Sequence, residues 1–180
     1  MSTDNPLAKF VDIHAHSRCA PDIICSVEPD FEIESAYGQA WYSVGIHPWS
    51  TVNEISAATI ENLLIRSRDI RVVAIGECGL DKNRGGRPDY QEEIFRLHID
   101  ISESLQKPLI IHCVGRYGRL LDLYRETAPT QQWVIHGFSG KAELARQLIA
   151  AGFYISLGPR SNSSLRAIIP KERRYEESDA

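Results

Sequence analysis

Short apolar runs rich in β-branched residues recur along the chain: FVDIHAH (10–16), IICSV (23–27), WYSVGIH (41–47), RVVAIGE (71–77), PLIIHCV (108–114), QWVIH (132–136) and FYISLGP (153–159). They are close to continuous rather than alternating, as expected of strands covered on both faces in a parallel sheet. Between most of them the period lengthens to that of a helix. In residues 89–107, Ile94, Leu97, Ile101 and Leu105 recur at helical spacing, and Asp89 with Glu92 makes a capping-box pattern. Residues 53–66 and 141–150 carry the same amphipathic signature, whereas 30–40 predicts no clear element. A polar segment, ERRYEESD (172–179), supplies an eighth strand. The predicted class is α/β, a distorted (β/α)8 TIM-type barrel in a single domain over residues 1–180. Such barrels usually take about 250 residues, so a compact version lacking the final helix is expected.

The polar residues that interrupt this pattern are concentrated at one place in it. His14, His16, His47, His112 and His136 each lie at the downstream end of an apolar run, and Glu77 holds the same position in VVAIGE. In a parallel sheet those ends share one face, so residues far apart in sequence converge there. Side chains two apart on a strand point the same way, which lets His14 and His16 reach one ion; Asp12, one step further back, is expected to orient a histidine. A lone strand-end histidine is commonly a hydrogen-bonding residue, but a His-x-His pair with a glutamate and two more histidines implies a shared metal site. His98, inside a helical pattern, reads as a residue at the polar border.

Composition narrows the remaining choices. The net charge of −4 argues against a broad basic surface gripping nucleic acid, so an anionic substrate needs a local attractor such as a bound metal. No apolar stretch approaches a membrane span and the N-terminus MSTDNPLAK lacks a signal-peptide core, which predicts a cytoplasmic protein with no membrane partner. Cys19, Cys25, Cys78 and Cys113 contain no C-x-x-C pair and are expected to be packing thiols, with Cys78 and Cys113 facing away from the site. There is no G-x-S-x-G elbow, P-loop or G-x-G-x-x-G. Ser139 and Gly140 in HGFSGK are expected to turn the chain into the helix at 141–150.

The series DIHAH, GIHPW, IGECGLD, KPLIIHC, HGFSG and ESDA resembles the TatD family of metal-dependent deoxyribonucleases, in the family's order and over nearly the whole chain. The resemblance implies hydrolysis of DNA phosphodiesters, often from the 3′ end, with two divalent ions of Mg, Zn or Mn type. It implies that His14 and His16 hold one metal, that Glu77 bridges to a second, and that His112 and His136 bind the second. Asp179 matches the catalytic aspartate, which contacts the first metal and orients or deprotonates the attacking water; Glu77 shares the catalytic assignment. His47 and Asp81 match positions near the site, His47 with a substrate-contact or support role.

Arg116, Arg119, Lys141 and Arg160 are placed where they could meet a phosphate, with Val114 standing where family members often carry an arginine. The family's last strand runs on into a helix, but here Asp179 is followed only by Ala180, so fraying of Asp179 is expected. Two alternatives retain the metals: an amide, ester or lactone hydrolase of the amidohydrolase type, or a truncated, non-catalytic metal-binding barrel.

Overall fold

The computed structural model describes residues 5–17, 19–33 and 40–180; much of the unassigned region 30–40 lies outside them. Eight strands form one all-parallel sheet in sequence order. They are β1 (Asp12–Ala15), β2 (Ile23–Val27), β3 (Trp41–Val44), β4 (Val72–Asp81), β5 (Leu109–Val114), β6 (Trp133–Ile135), β7 (Tyr154–Leu157) and β8 (Arg174–Glu176). The tail after β8 returns to β1, where Asp179 N–H donates to the His14 carbonyl at 3.1 Å and the N–H groups of His16 and Ser17 donate to the Ala180 carbonyl. The barrel therefore closes through irregular backbone bonds, and these pin Asp179, contrary to the fraying expected from its place in the sequence.

Helices α1 (Ala57–Arg66), α2 (Pro88–Leu105), α3 (Tyr117–Thr127), α4 (Ala142–Ala151) and the short α5 (Leu165–Ile168) cover the connections from β3 onward. Among the described residues the β1–β2 connection carries no helix. Ser56 caps α1 by accepting Thr59 N–H at 3.0 Å. The capping box expected from Asp89 and Glu92 does not form: α2 opens with Pro88 at its first turn and has no side-chain cap. Glu92 is instead drawn outward to Arg96 and Arg119, which also reach Glu126 and tie α2 to α3.

Two apolar layers follow from strand alternation. Tyr42, Val44, Ile75, Leu109, Ile111, Trp133 and Ile155 face outward beneath the helices, while Ile13, Ile24, Ala74, Ile110, Val134 and Tyr175 fill the barrel with Leu7 and Phe10. These side chains fill the lower barrel and leave its C-terminal mouth to the polar strand ends.

Two sequence expectations fail because they depend on packing across the chain. His98 is wholly buried, not at a polar border: its Nε2 accepts Ile46 N–H at 2.9 Å and its Nδ1 donates to the Ile94 carbonyl at 2.7 Å. Burial pushes its pKa down to about 4, the backbone bond opposing. Cys19 and Cys25 are not free thiols but a disulfide, because the loop after β1 folds back over β2 and brings their Cα atoms within 5.6 Å. Cys78 and Cys113 are buried free thiols packed in the outward layer.

Candidate metal centre

The end of β4 organises the site. Ile75 lies opposite Leu109 and Cys78 opposite Ile111, so three steps on β4 match two on β5. Ile75 and Cys78 both pack outward, which strict alternation forbids at that separation; the extra residue resolves it and turns Glu77 into the barrel mouth. Glycine is required here. Gly76 and Gly79 have φ of 135° and 136°, and a Cβ would stand 2.2 Å from the Ile110 carbonyl oxygen and 2.1 Å from that of His112. The register of β1 slips in the same way between Asp12 and Ala15. That break defeats the parity argument for Asp12, whose Oδ1 accepts His14 backbone N–H at 3.0 Å and orients no imidazole.

One carboxylate meets five imidazoles. Glu77 Oε2 lies 3.2 Å from His14 Nε2 and 3.6 Å from His16 Nε2. Its Oε1 lies 2.9 Å from His47 Nε2, 3.0 Å from His112 Nδ1 and 2.7 Å from His136 Nε2. Asp179 Oδ1 stands 3.8 Å from His14 Nε2 and 3.7 Å from His16 Nε2. Burial alone would raise the Glu77 pKa, but His136 charge and the contacts with His112, His136 and His14 hold it well below the carboxylate range. His136 is pushed up to about 10, burial being outweighed by Glu77 and Glu177. His16 is lowered by burial and by His14.

The donor set fits divalent cations. Donor atoms gather within 4.8 Å in three groups: His14, His16 and Glu77; His14, His136 and Asp179; and His47, Glu77 and His112. His14 is buried yet neither ring nitrogen makes an aligned hydrogen bond. A buried polar group left so costs about 1–3 kcal/mol, which a cation between imidazole and carboxylate would offset. Mixed imidazole and carboxylate donors suit Zn, Mn or Fe as well as Mg.

Outer contacts fix the rings. Asp81 Oδ2 accepts His112 Nε2–H at 2.9 Å and Trp49 Nε1–H at 2.7 Å, and its Oδ1 accepts the N–H groups of Asn83 and Arg84. Burial would raise its pKa, but the Trp49 and His112 bonds prevail and lower it. Asp81 thereby leaves His112 Nδ1 directed at Glu77. His47 Nδ1 accepts Trp49 N–H at 3.1 Å, so the neutral ring carries its proton on Nε2 and donates to Glu77.

Sequence reasoning missed Glu177. Its side chain is buried, lies against Gly158, and aims Oε1 at His136 Nδ1 from 3.5 Å, with no aligned hydrogen bond on either oxygen. Burial opposes its charge, yet the contact with His136 lowers its pKa. Its position two residues before Asp179 was the available signal.

A cavity of about 380 Å³ opens over the cluster, lined by His16, Glu77, His112, His136, Arg160 and Asp179 among others. Of the predicted substrate contacts, His47 and Arg160 line it, and the Arg160 guanidinium pairs with Asp179 Oδ2. Arg116 and Lys141 stand at the starts of α3 and α4 but do not line this cavity. Arg119 is not available to a phosphate, being held by Glu92 and Glu126. Among the described residues no helix is long and apolar enough to cross a membrane.

The sequence model of the family described as TatD related DNase matches residues 23–180. A Cronobacter turicensis protein named 3'-5' ssDNA/RNA exonuclease TatD is 36% identical over 158 residues, covering 80% of this chain and 58% of that protein. Its namesake in Escherichia coli K12 is 33% identical over 156 residues, with 80% and 59% covered. The chain thus spans less than two thirds of these relatives' length.

Among solved structures, the E. coli TatD homologue YJJV superposes with a TM-score of 0.78 at 23% identity, over 97% of this chain and 80% of that one. A TatD family hydrolase from Entamoeba histolytica gives 0.76 at 22% identity, over 95% and 73%. These likenesses establish the shared barrel. On the strength of the family match and the sequence relatives, the chain belongs to the TatD-related DNase family.

Proposed function

We propose that this chain hydrolyses phosphodiester bonds of single-stranded DNA, removing nucleotides from the 3′ end, with two divalent cations of Mg, Zn or Mn type. The observation that carries the proposal is one buried carboxylate, Glu77, shared by imidazoles from four other strand ends at the C-terminal mouth of the barrel. The relatives' name, 3'-5' ssDNA/RNA exonuclease, supports the substrate and polarity, and leaves RNA as a second strand to test.

In this reading His14, His16 and Asp179 hold one cation, His112 and His136 hold the other, and Glu77 serves both. When bound, the pair would lower the pKa of a water and offset charge on the leaving oxygen. His47 acts as an N–H donor that orients Glu77, since its other nitrogen is committed to Trp49 N–H. Asp179, pinned by its backbone bond to His14, directs the attacking water and accepts its proton. Arg160 exchanges Asp179 for a phosphate oxygen as substrate enters. Arg116 and Lys141 are left to contact the strand beyond the cavity.

The test is cleavage of a 5′-labelled single-stranded oligonucleotide in Mg, Mn or Zn. A ladder shortening from the 3′ end is expected, reduced on the order of a hundredfold or more in Glu77→Gln. Absence of cleavage with every cation, or an unchanged ladder in the variant, would overturn the proposal.

A further inference from the structure

Trp49 is the one tryptophan of the three standing at the site, and it is 40% exposed, whereas Trp133 is fully buried in the outward layer and Trp41 packs with Lys9 and Phe10. Exposure does not leave it loose. Its Nε1–H is tied to Asp81, its ring meets His47 and His112 edge-on at 4.7 and 5.6 Å, and the Arg84 guanidinium lies 3.5 Å over the ring. Among the described residues Arg84 pairs with no carboxylate. The Trp49 ring also belongs to the wall between the metal-cluster cavity and an adjoining cavity of about 470 Å³, which share His112, His136 and Arg160.

We infer that Trp49 and Arg84 form a stacking platform for one unpaired nucleobase of the strand whose phosphate lies at the cluster. The inference rests on the nuclease reading above and adds a subsite to it. A rigid aromatic plate beside a phosphodiester site fits the planar face that every base presents, whatever its identity, and the guanidinium adds a cationic layer to the same stack. A base within a duplex is already stacked and cannot join it. The platform therefore selects single strands without reading sequence, and it requires a base to be present, which cations and phosphate contacts do not.

The bond from Trp49 to Asp81 means that replacing Trp49 also disturbs His112, so the experiment separates the ring from its N–H. Trp49→Phe keeps an aromatic face and loses the N–H; Trp49→Leu loses both. In EDTA, an oligonucleotide carrying 2-aminopurine near its 3′ end is titrated with each protein. Stacking quenches its emission, and quenching is expected with the native chain and Trp49→Phe but not with Trp49→Leu. With cation restored, KM is compared for an ordinary oligonucleotide and one of the same length bearing abasic sites at its 3′ end.

Trp49→Leu is expected to raise KM about tenfold on the ordinary strand relative to Trp49→Phe, and to leave the two variants alike on the abasic strand. Arg84→Leu is expected to shift KM in the same direction and on the ordinary strand alone. Equal effects on both strands, or no quenching by the native chain, would overturn the platform. If the native chain cleaves neither strand with any cation, the nuclease reading fails, and quenching in EDTA still decides the platform on its own.

Discussion

His98→Phe tests how far the site depends on a residue outside it. The imidazole links the end of β3 to the middle of α2, and its Nε2 satisfies Ile46 N–H, the residue immediately before His47. Phenylalanine fills the volume but leaves that buried N–H unpaired, at a cost of about 1–3 kcal/mol. The pH dependence gives a sharper signature. His98 has a folded pKa of about 4, below its ordinary 6.5, so between those values the unfolded chain binds more protons. Stability from this residue is complete above pH 6.5 and is lost as pH falls through 4, with about 2 kcal/mol gone by pH 5.

Urea denaturation of both proteins at pH 7.5 and pH 5 measures this directly. Other groups titrate in the same window, so the quantity of interest is the gap between native and variant. The gap should narrow at pH 5 by about 2 kcal/mol, because the variant has no imidazole to protonate. A gap independent of pH would refute the assignment of His98 as a buried, neutral acceptor. Cleavage by the variant should also weaken through displacement of His47, most visibly in kcat.

Glu177→Gln and Glu177→Ala should weaken divalent-cation binding by about tenfold to a hundredfold, measured by calorimetry, with the glutamine variant the milder of the two; equal affinity in all three proteins would exclude Glu177 as the partner of His136. Gly79→Ala places a side chain at positive φ against the His112 carbonyl, and should cost at least about 2 kcal/mol in denaturant melts. Arg119→Ala should cost about 1 kcal/mol or less, since its pairs with Glu92 and Glu126 are partly exposed, and the loss should shrink in high salt. Arg119 and Arg96 hold Glu92 at about 2, so this contribution is present above the ordinary carboxylate pKa and fades as pH falls toward 2; a native-minus-variant gap that grows in acid would contradict it.

The strand ends were legible because hydrophobic patterning is local. VVAIGE and PLIIHCV are strands by composition, and a parallel sheet sends their last residues to one face whatever the details. What could not be read were contacts whose partners lie far off in sequence. Asp89 and Glu92 satisfied a local capping rule, but α2 opens earlier, at Pro88, and Glu92 turns to Arg119, 27 residues away. Cys19 and Cys25 are six residues apart, yet only the return of the chain over β2 makes them partners. Of the cationic residues named for phosphate contact, sequence could place all four near strand ends, but only packing distinguishes Arg160 in the cavity wall from Arg119 in a helix-to-helix clasp.

By itself the sequence determined the class of fold, the family and the chemical types at the barrel mouth, since these follow from periodicity and from which residues end the strands. Tertiary structure decided their orientation. The extra residues in β1 and β4 reverse side-chain parity, turning Glu77 inward and detaching Asp12 from the imidazoles, and such slips arise from pairing with a neighbouring strand. The same is true of Asp179, which its own neighbours in sequence leave unsupported and the end of β1 holds in place. Local pattern carries one strand's alternation; register between strands is a property of the closed sheet.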